Sequence, residues 1–212
     1  MATSGLIKGG LIVLAADGGA VQRTIALQYN PETVTRSIEP QGVGGDGDKG
    51  GPGGQPYHFT GPAIESIQLV TTLDATDALE RADGDPAVVR AGIAPQLAVL
   101  EALVQPSAAE LMPTAQRPKG VHEVPLVLFV WGAHRVVPVR VTQLSIVEEA
   151  FDRALNPLRA RVALGLRVLT TADFSSTRRG STIFLAYLRG REALARTAPA
   201  VTLEALGLQG LP

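Results

Sequence analysis

Histidine and carboxylate side chains are where catalysis or metal binding would have to start in this chain, because it contains no cysteine. A thiolate nucleophile, a cysteine zinc site and a disulfide framework are therefore excluded. His58, His122 and His134 are far apart and at no metal-ligand spacing, so surface or edge positions are expected for them. The tightest acidic group is Glu148-Glu149 with Asp152. Acid/base or metal chemistry there needs convergent partners, and the segment offers none; turn chemistry and a charged contact surface are the expected roles. A small hydrolase using Glu148, Glu149 or Asp152 is the minor alternative. Asp74, Asp77, Asp83 and Asp85 are not spaced as an EF-hand loop, and a short helical turn over 77–82 capped by Asp74 or Thr76 accounts for the first pair. The serines before the last helix lack a Gly-x-Ser-x-Gly elbow. Residues 41–56 are glycine-dense but lack Gly-Lys-Ser/Thr, which makes them a surface loop rather than a phosphate cradle. No catalytic residue, metal or cofactor is expected.

Composition narrows the partners. The formal charge is −1 over 212 residues, which argues against duplex nucleic acid, since that needs a basic stripe. Aromatic residues are scarce, so stacking platforms for single strands are absent. A chain of this length buries roughly 70% of its unfolded surface and holds a real core. No apolar run approaches the roughly 20 residues of a membrane helix, and the first residues lack the pattern of a signal peptide. A protein assembled inside a cell, without membrane insertion, is the expectation.

The elements organise around residues 125–169, which read as three strands: 126–130, 136–147 and 160–169. A turn segment, 148–157, joins the last two. In the third strand Ala160, Val162, Leu164, Leu166 and Val168 share one face, while Arg159, Arg161 and Arg167 take the other. In the second, Val139 and Val141 share a face and Leu144 and Ile146 take the opposite one. That slip is a β-bulge or the mark of a strand buried on both faces. Trp131 beside Gly132 reads as a packing anchor at a strand end.

Upstream, 5–16 and 20–29 predict a hairpin, with Val21, Arg23, Ile25 and Leu27 facing inward. Pro31 breaks it, and 33–38 resumes a short strand. Residues 57–61 return to the sheet, 64–73 form a strand with Ile67, Leu69, Thr71 and Leu73 on one face, and 83–86 turn. Ile93, Leu97, Leu100 and Val104 predict one apolar helix over 92–103. A loop runs from Pro106 to about Val124. Ser181 caps a last helix, to about 198, with Phe184, Tyr187, Leu188, Arg191 and Leu194 as its stripe. The tail, 201–208, is apolar and expected to dock on something. The fold class is mainly β with helices (α+β), an assembly subunit rather than an enzyme.

One stretch is familiar. Leu27-Gln28-Tyr29-Asn30-Pro31-Glu32-Thr33-Val34-Thr35-Arg36 resembles the Phe/Leu-Gln-Tyr-Asn-Pro-x-x-Leu-x-Arg signature of the contractile injection system tube protein family. Further matches follow in order: Gly61-Pro62, residues 67–77, the helix opening at Gly92, Val130-Trp131-Gly132, Val137-Pro138-Val139-Arg140 and the segment 148–157. The resemblance covers roughly 5–170.

The resemblance implies a tail-tube-like antiparallel β-barrel or sandwich over 5–170, with one packed helix and 41–56 as a loop insertion. Residues 171–212 add a C-terminal helix and docking tail; members often carry a LysM-type module there, and this sequence departs from that. It implies a structural baseplate component, a homo-hexameric adaptor ring that joins the trimeric spike protein to the inner-tube protein and initiates tube assembly. Other baseplate subunits are further partners. The alternative is the main inner-tube subunit. The assembly-interface residues it points to are Tyr29, Asn30, Pro31, Trp131, Glu148, Glu149, Phe151, Asn156, Pro157, Arg159, Arg161 and Arg167. The arginine-bearing face would meet the lumen or a neighbour, and the 92–103 helix would close the outside of the barrel.

Overall fold

Alternating apolar and polar residues build the framework. The computed structural model describes residues 6–15, 18–43, 58–79, 86–112, 124–175 and 178–211. β1 (Gly10–Leu14) and β2 (Val21–Ala26) form a hairpin, β3 (Val34–Glu39) follows, and β4 (Gly42–Val43) pairs with β5 (His58–Phe59). β6 (Ile64–Asp74) leads into α1 (Thr76–Leu79), α2 (Pro86–Ala91), α3 (Ala94–Glu101) and α4 (Ala108–Leu111). β7 (Leu126–Val130), β8 (Val136–Phe151) and β9 (Pro157–Val168) complete a seven-stranded antiparallel sheet in the order β2-β1-β7-β8-β9-β6-β3. α5 (Arg179–Arg196) and a 3-10 turn (Leu203–Leu206) end the chain. The fold is α+β and dominated by this sheet.

Register explains the core. Across β8, β9 and β6, Val141, Leu166 and Ile67 lie opposite one another, as do Leu144, Leu164 and Leu69. Both rows point to the same side of the sheet because opposed antiparallel residues share a face. The pairing shifts between Val141 and Gln143, so the phase slip is a β-bulge. The bulge keeps Leu144 and Ile146 against the core after an extra residue. Val88 of α2, Ile93 between the helices, and Leu97 and Leu100 of α3 pack on this apolar face, opposite the arginine-bearing one. Full burial of each such side chain contributes roughly 1.5–3 kcal/mol. A smaller cluster of Leu14, Leu126 and Leu128 occupies the other side of β1 and β7, against Phe174 and Ile183. α5 joins the two clusters, since its Phe184 and Tyr187 belong to the main core.

Several boundaries differ from expectation, each for a local reason. β8 runs on to Phe151, so Glu148 and Glu149 lie on a strand and the turn begins at Asp152. Of the expected 57–61 return, His58 and Phe59 form β5, which pairs with β4 outside the main sheet. β2 is an edge strand whose side chains are exposed apart from a half-buried Ile25, so its inward face reduces to Ile25 and the following Leu27. The helix expected over 92–103 is α3, trimmed to 94–101 with Pro95 in its first turn, and a helix not expected from the sequence, α2, precedes it and ends where Gly92 adopts φ +56°. Pro86 opens α2 instead of closing a turn. Within the supposed 106–124 loop, Ser107 and Glu110 form a reciprocal capping box that starts α4. α5 starts at Arg179, with its guanidinium donating to the Gly18 and Gly19 carbonyls at 2.7 Å, and Ser181 is buried inside the first turn rather than capping. The helical turn after Asp74 spans Thr76–Leu79; most of the glycine-dense loop and Asp83, Asp85 and His122 lie outside the described residues.

Candidate assembly surface

The crossover from β2 to β3 is held by side-chain amides acting as strand partners. Leu27 is buried in the core. Gln28 donates from Nε2 to the Asp74 carbonyl and accepts from the Asp74 amide, at 2.8 and 2.9 Å. The Tyr29 carbonyl accepts from the Thr71 hydroxyl at 3.0 Å. Asn30 accepts from the Gly9 amide and donates to the Ile7 carbonyl, both at 2.8 Å. The Leu-Gln-Tyr-Asn-Pro stretch thus fastens the two outermost strands' connection to β6 on one side and to residues 7–9 on the other. Pro31 suits the exit because it needs no donor partner. Asn30→Ala is expected to lower stability by about 1–2 kcal/mol, through one lost bond pair and a part-buried amide left without its acceptor; urea unfolding measures it.

The β8–β9 hairpin carries the largest exposed backbone edge. β7 pairs with β8 only over Val136–Val139, whereas β9 follows it to Phe151. Among the described residues, the other edge of β8 from 140 to 151 has no strand partner. Phe151 and Val147 stand about half exposed on it, at 49% and 51%. At the tip, Asp152 accepts from the Ala154 and Asn156 amides and from the Asn156 side chain, each at 2.8 Å. Those bonds, the Asn156 side chain's first, hold the Asp152 carboxyl below its ordinary value. Leu155 takes φ +64° and is 78% exposed. A leucine in the left-handed region costs roughly 1–2 kcal/mol, which the turn's own bonds offset: the Leu155 amide donates to the Asp152 carbonyl at 3.1 Å and the Asp152 amide to the Asn156 carbonyl at 3.0 Å.

The polar face of the sheet is small and charge-balanced along β9. Arg159 pairs with Asp74 at 2.6 Å, Arg161 with Glu149 at 2.7 Å and Arg167 with Asp173 at 3.0 Å. Between them lie Ala163 and Gly165, flanked by Gln68 and Gln143. The Asp74 carboxyl is held low by hydrogen bonds from Thr76, hydroxyl first and amide second, with Arg159 adding to them against the opposing effect of burial. The arginines of these pairs are part-exposed or exposed, so solvent screening weakens all three.

The twelve residues singled out from sequence fall into separate groups. Tyr29, Asn30 and Pro31 form the crossover. Glu148, Glu149, Phe151, Asn156, Pro157, Arg159 and Arg161 lie together on the hairpin, and Arg167 sits higher on β9 beside Arg140. Trp131 stacks on Phe129, with ring centroids 6.0 Å apart and planes 15° apart, as an anchor at the end of β7. Sequence reasoning missed the buried carboxylate of Glu65, which meets Arg36, Tyr187 and Arg191. Its signal was a lone charge in phase with Ile67 and Leu69. His58 and His134 are exposed. Among the described residues no group of histidine and carboxylate side chains is arranged to hold a metal, and no helix is long and apolar enough to cross a membrane.

The fold is thus a seven-stranded antiparallel sheet with a stapled crossover and a hairpin edge left without a strand partner among the described residues. Residues 15–175 match the family described as contractile injection system tube protein, and the chain belongs to that family. No curated protein matches it. A chain in a solved structure, described as the tail of an empty GTA particle computed with helical refinement in C6 symmetry, is similar at 13% identity and a TM-score of 0.34. That likeness covers 76% of this chain and 90% of the other.

Proposed function

We propose that the chain forms a homo-hexameric adaptor ring in the baseplate of a contractile injection system, joining the trimeric spike to the inner tube and initiating tube assembly. The observation that carries this reading is the unpaired edge of β8. An exposed, partly apolar strand edge is a template for pairing with another chain, and head-to-tail pairing of identical subunits closes into rings. Leu155 supports the same reading, because it adds an exposed apolar side chain at the tip of that hairpin for a neighbour to cover. Glu148 and Glu149 on β8, and the paired arginines of β9, then lie at or beside the subunit contact. The small, charge-balanced face between them suits a lumen that lets cargo pass without capture. Assembly takes place in the producing cell, within the contractile particle.

Lysine at both Val147 and Phe151 tests this. Both side chains are half exposed, so the monomer should stay folded by circular dichroism, while light scattering of the protein alone and with its tube and spike proteins should show the ring lost. A parent protein that stays monomeric in every mixture and never enters sheath-containing particles would sink the proposal. Copy number separates the adaptor from the main tube subunit: an adaptor is present in numbers close to the spike's, and a polymerising subunit greatly outnumbers it.

A further inference from the structure

A strand edge in a ring must meet the opposite flank of the next copy, and the sheet offers one strand there. β8 has β7 on one flank and β9 on the other, and its unpaired stretch, 140–151, lies on the β7 flank. The outer edge of β2 faces the same way, because β2 ends the strand order on the β7 side. The outer edge of β3 faces the opposite way, beyond β9 and β6, and has no strand partner among the described residues. The rest of that opposite flank, β6 beyond Leu69, is taken by the crossover, through Gln28 at Asp74 and Tyr29 at Thr71. Copies related by rotation about a ring axis turn the same face toward it and keep the same strand direction, so unlike flanks meet. Two like flanks join only through a two-fold axis, which closes a dimer and not a ring. In this sheet, the edge able to receive β8 is therefore that of β3. Strand direction agrees. The pairings β8–β9, β9–β6 and β6–β3 are all antiparallel, so β3 runs opposite to β8 and meets it antiparallel.

Side chains set the register. On β3, Thr35, Ser37 and Glu39 share the polar face with Gln68 and Ser66, while Val34, Arg36 and Ile38 share the face of Leu69 and Ile67. On β8, Arg140, Gln143 and Ser145 take the polar face, and Val141, Leu144 and Ile146 the apolar one. Arg140 stands beside Arg167, which Asp173 already neutralises, and has no ion-pair partner among the described residues. Glu101 and Glu110 line the cleft next to it but lie beyond ion-pair distance. Glu39, exposed at the end of β3, has no such partner either. We propose that β3 of one copy pairs antiparallel with residues 140–146 of β8 in the next, with Glu39 opposite Arg140. Thr142 stays bulged, as it already is against β9. Ile38 then meets Val141, Ser37 meets Gln143, Thr35 meets Ser145 and Val34 meets Ile146, each pair matched in face and in kind. Ile38, 44% exposed, gains an apolar neighbour. The inference rests on the reading that copies form a ring through the β8 edge with the polar face inward, and it names the strand that edge meets.

The absence of native cysteine makes a clean test possible. Full-length Thr35→Cys protein is mixed with full-length Ser145→Cys protein and treated with a short bis-maleimide. Opposed residues of an antiparallel pair have Cβ atoms about 4.5–5.5 Å apart, so a cross-linked heterodimer exceeding either homodimer is expected. Thr24→Cys on β2, mixed with Ser145→Cys, should give none above background. Charge reversal tests the register. Arg140→Glu and Glu39→Arg should each weaken self-association about tenfold at low salt, because each sets like charges face to face, and the two reversals in one chain should restore it. Both sites are exposed, so circular dichroism should match the parent for every variant. Three results would overturn the proposal. Linkage of Ser145→Cys to Thr24→Cys in place of Thr35→Cys would put β2 at the contact. Full-strength rings, by light scattering, with no link from Thr35→Cys to Ser145→Cys, or with no rescue by the double reversal, would remove this pairing and leave strand-edge assembly standing. No self-association, alone or with the tube and spike proteins, would remove both readings.

Discussion

Gly92→Ala is expected to cost about 3–5 kcal/mol of stability, while Gly132→Ala, at a similar backbone angle, costs about 1 kcal/mol. Both glycines have positive φ, +56° and +72°, so both replacements incur the left-handed penalty. Their surroundings differ. A Cβ at Gly132 meets nothing within 4 Å, whereas one at Gly92 overlaps the Pro157 carbonyl oxygen. That same oxygen accepts the Ile93 amide at 2.8 Å. Relieving the overlap means pulling α2 and α3 away from the start of β9, which breaks the bond and lifts Ile93, Leu97 and Leu100 from the core. Overpacking of this kind costs about 1–3 kcal/mol and the lost bond about 1 kcal/mol more. Denaturant midpoints at unchanged slope measure the difference. Equal losses at the two sites would show that the helical cap yields freely, and that Gly92 is there for its angle alone.

Gly92 also marks where sequence patterning stops being informative. Ile93, Leu97 and Leu100 recur at helical spacing and are all buried, so the element and its apolar face were legible. The shorter helix before it, α2, is not legible, and its end at Gly92 lies against Pro157, far along the chain. Strands behaved better. The alternation of β9 and the bulge in β8 follow from side-chain period alone, which is a local property. The start of α5 was misread for the same reason as Gly92: Arg179 is fixed by carbonyls of Gly18 and Gly19, and a nearby serine could not reveal that. The capping box of Ser107 and Glu110 is legible as Ser-x-x-Glu, although the prolines around it point to a loop. At the candidate surface, the Leu-Gln-Tyr-Asn-Pro signature was visible, but the work of Gln28 and Asn30 was not. Their partners are backbone groups on β6 and at residues 7–9, brought close only by the closed fold.

Arg36→Ala should release α5 from the sheet edge and cost about 3 kcal/mol, because it strands a buried carboxylate. Glu65 has a side chain only 5% exposed, and Arg36 is its close partner, Nε at 2.7 Å and Nη2 at 2.6 Å from Oε1. What remains is weaker. The Tyr187 hydroxyl donates at 3.2 Å, and Arg191, itself 40% exposed, reaches Oε2 only at 3.4 Å. The helix amides nearest Tyr187 should then exchange faster than those of β9, which hydrogen exchange resolves. Replacing the whole set with apolar groups should behave differently. Arg36→Met, Glu65→Leu and Tyr187→Phe together should lie within about 1 kcal/mol of the parent, since no buried charge is left unpaired. If the triple replacement loses as much as Arg36→Ala, the network stabilises α5 by more than avoiding a stranded charge. Alkaline pH probes the same contact. Burial, and then the Glu65 charge, raise the Tyr187 hydroxyl above its ordinary 10.0. The folded state therefore holds that proton more tightly than the unfolded chain does. Stability from this site is full below pH 10 and falls as pH rises through the folded value. Tyr187→Phe removes that alkaline loss, whereas Arg36→Ala, which leaves the hydroxyl beside an unpaired carboxylate, keeps it.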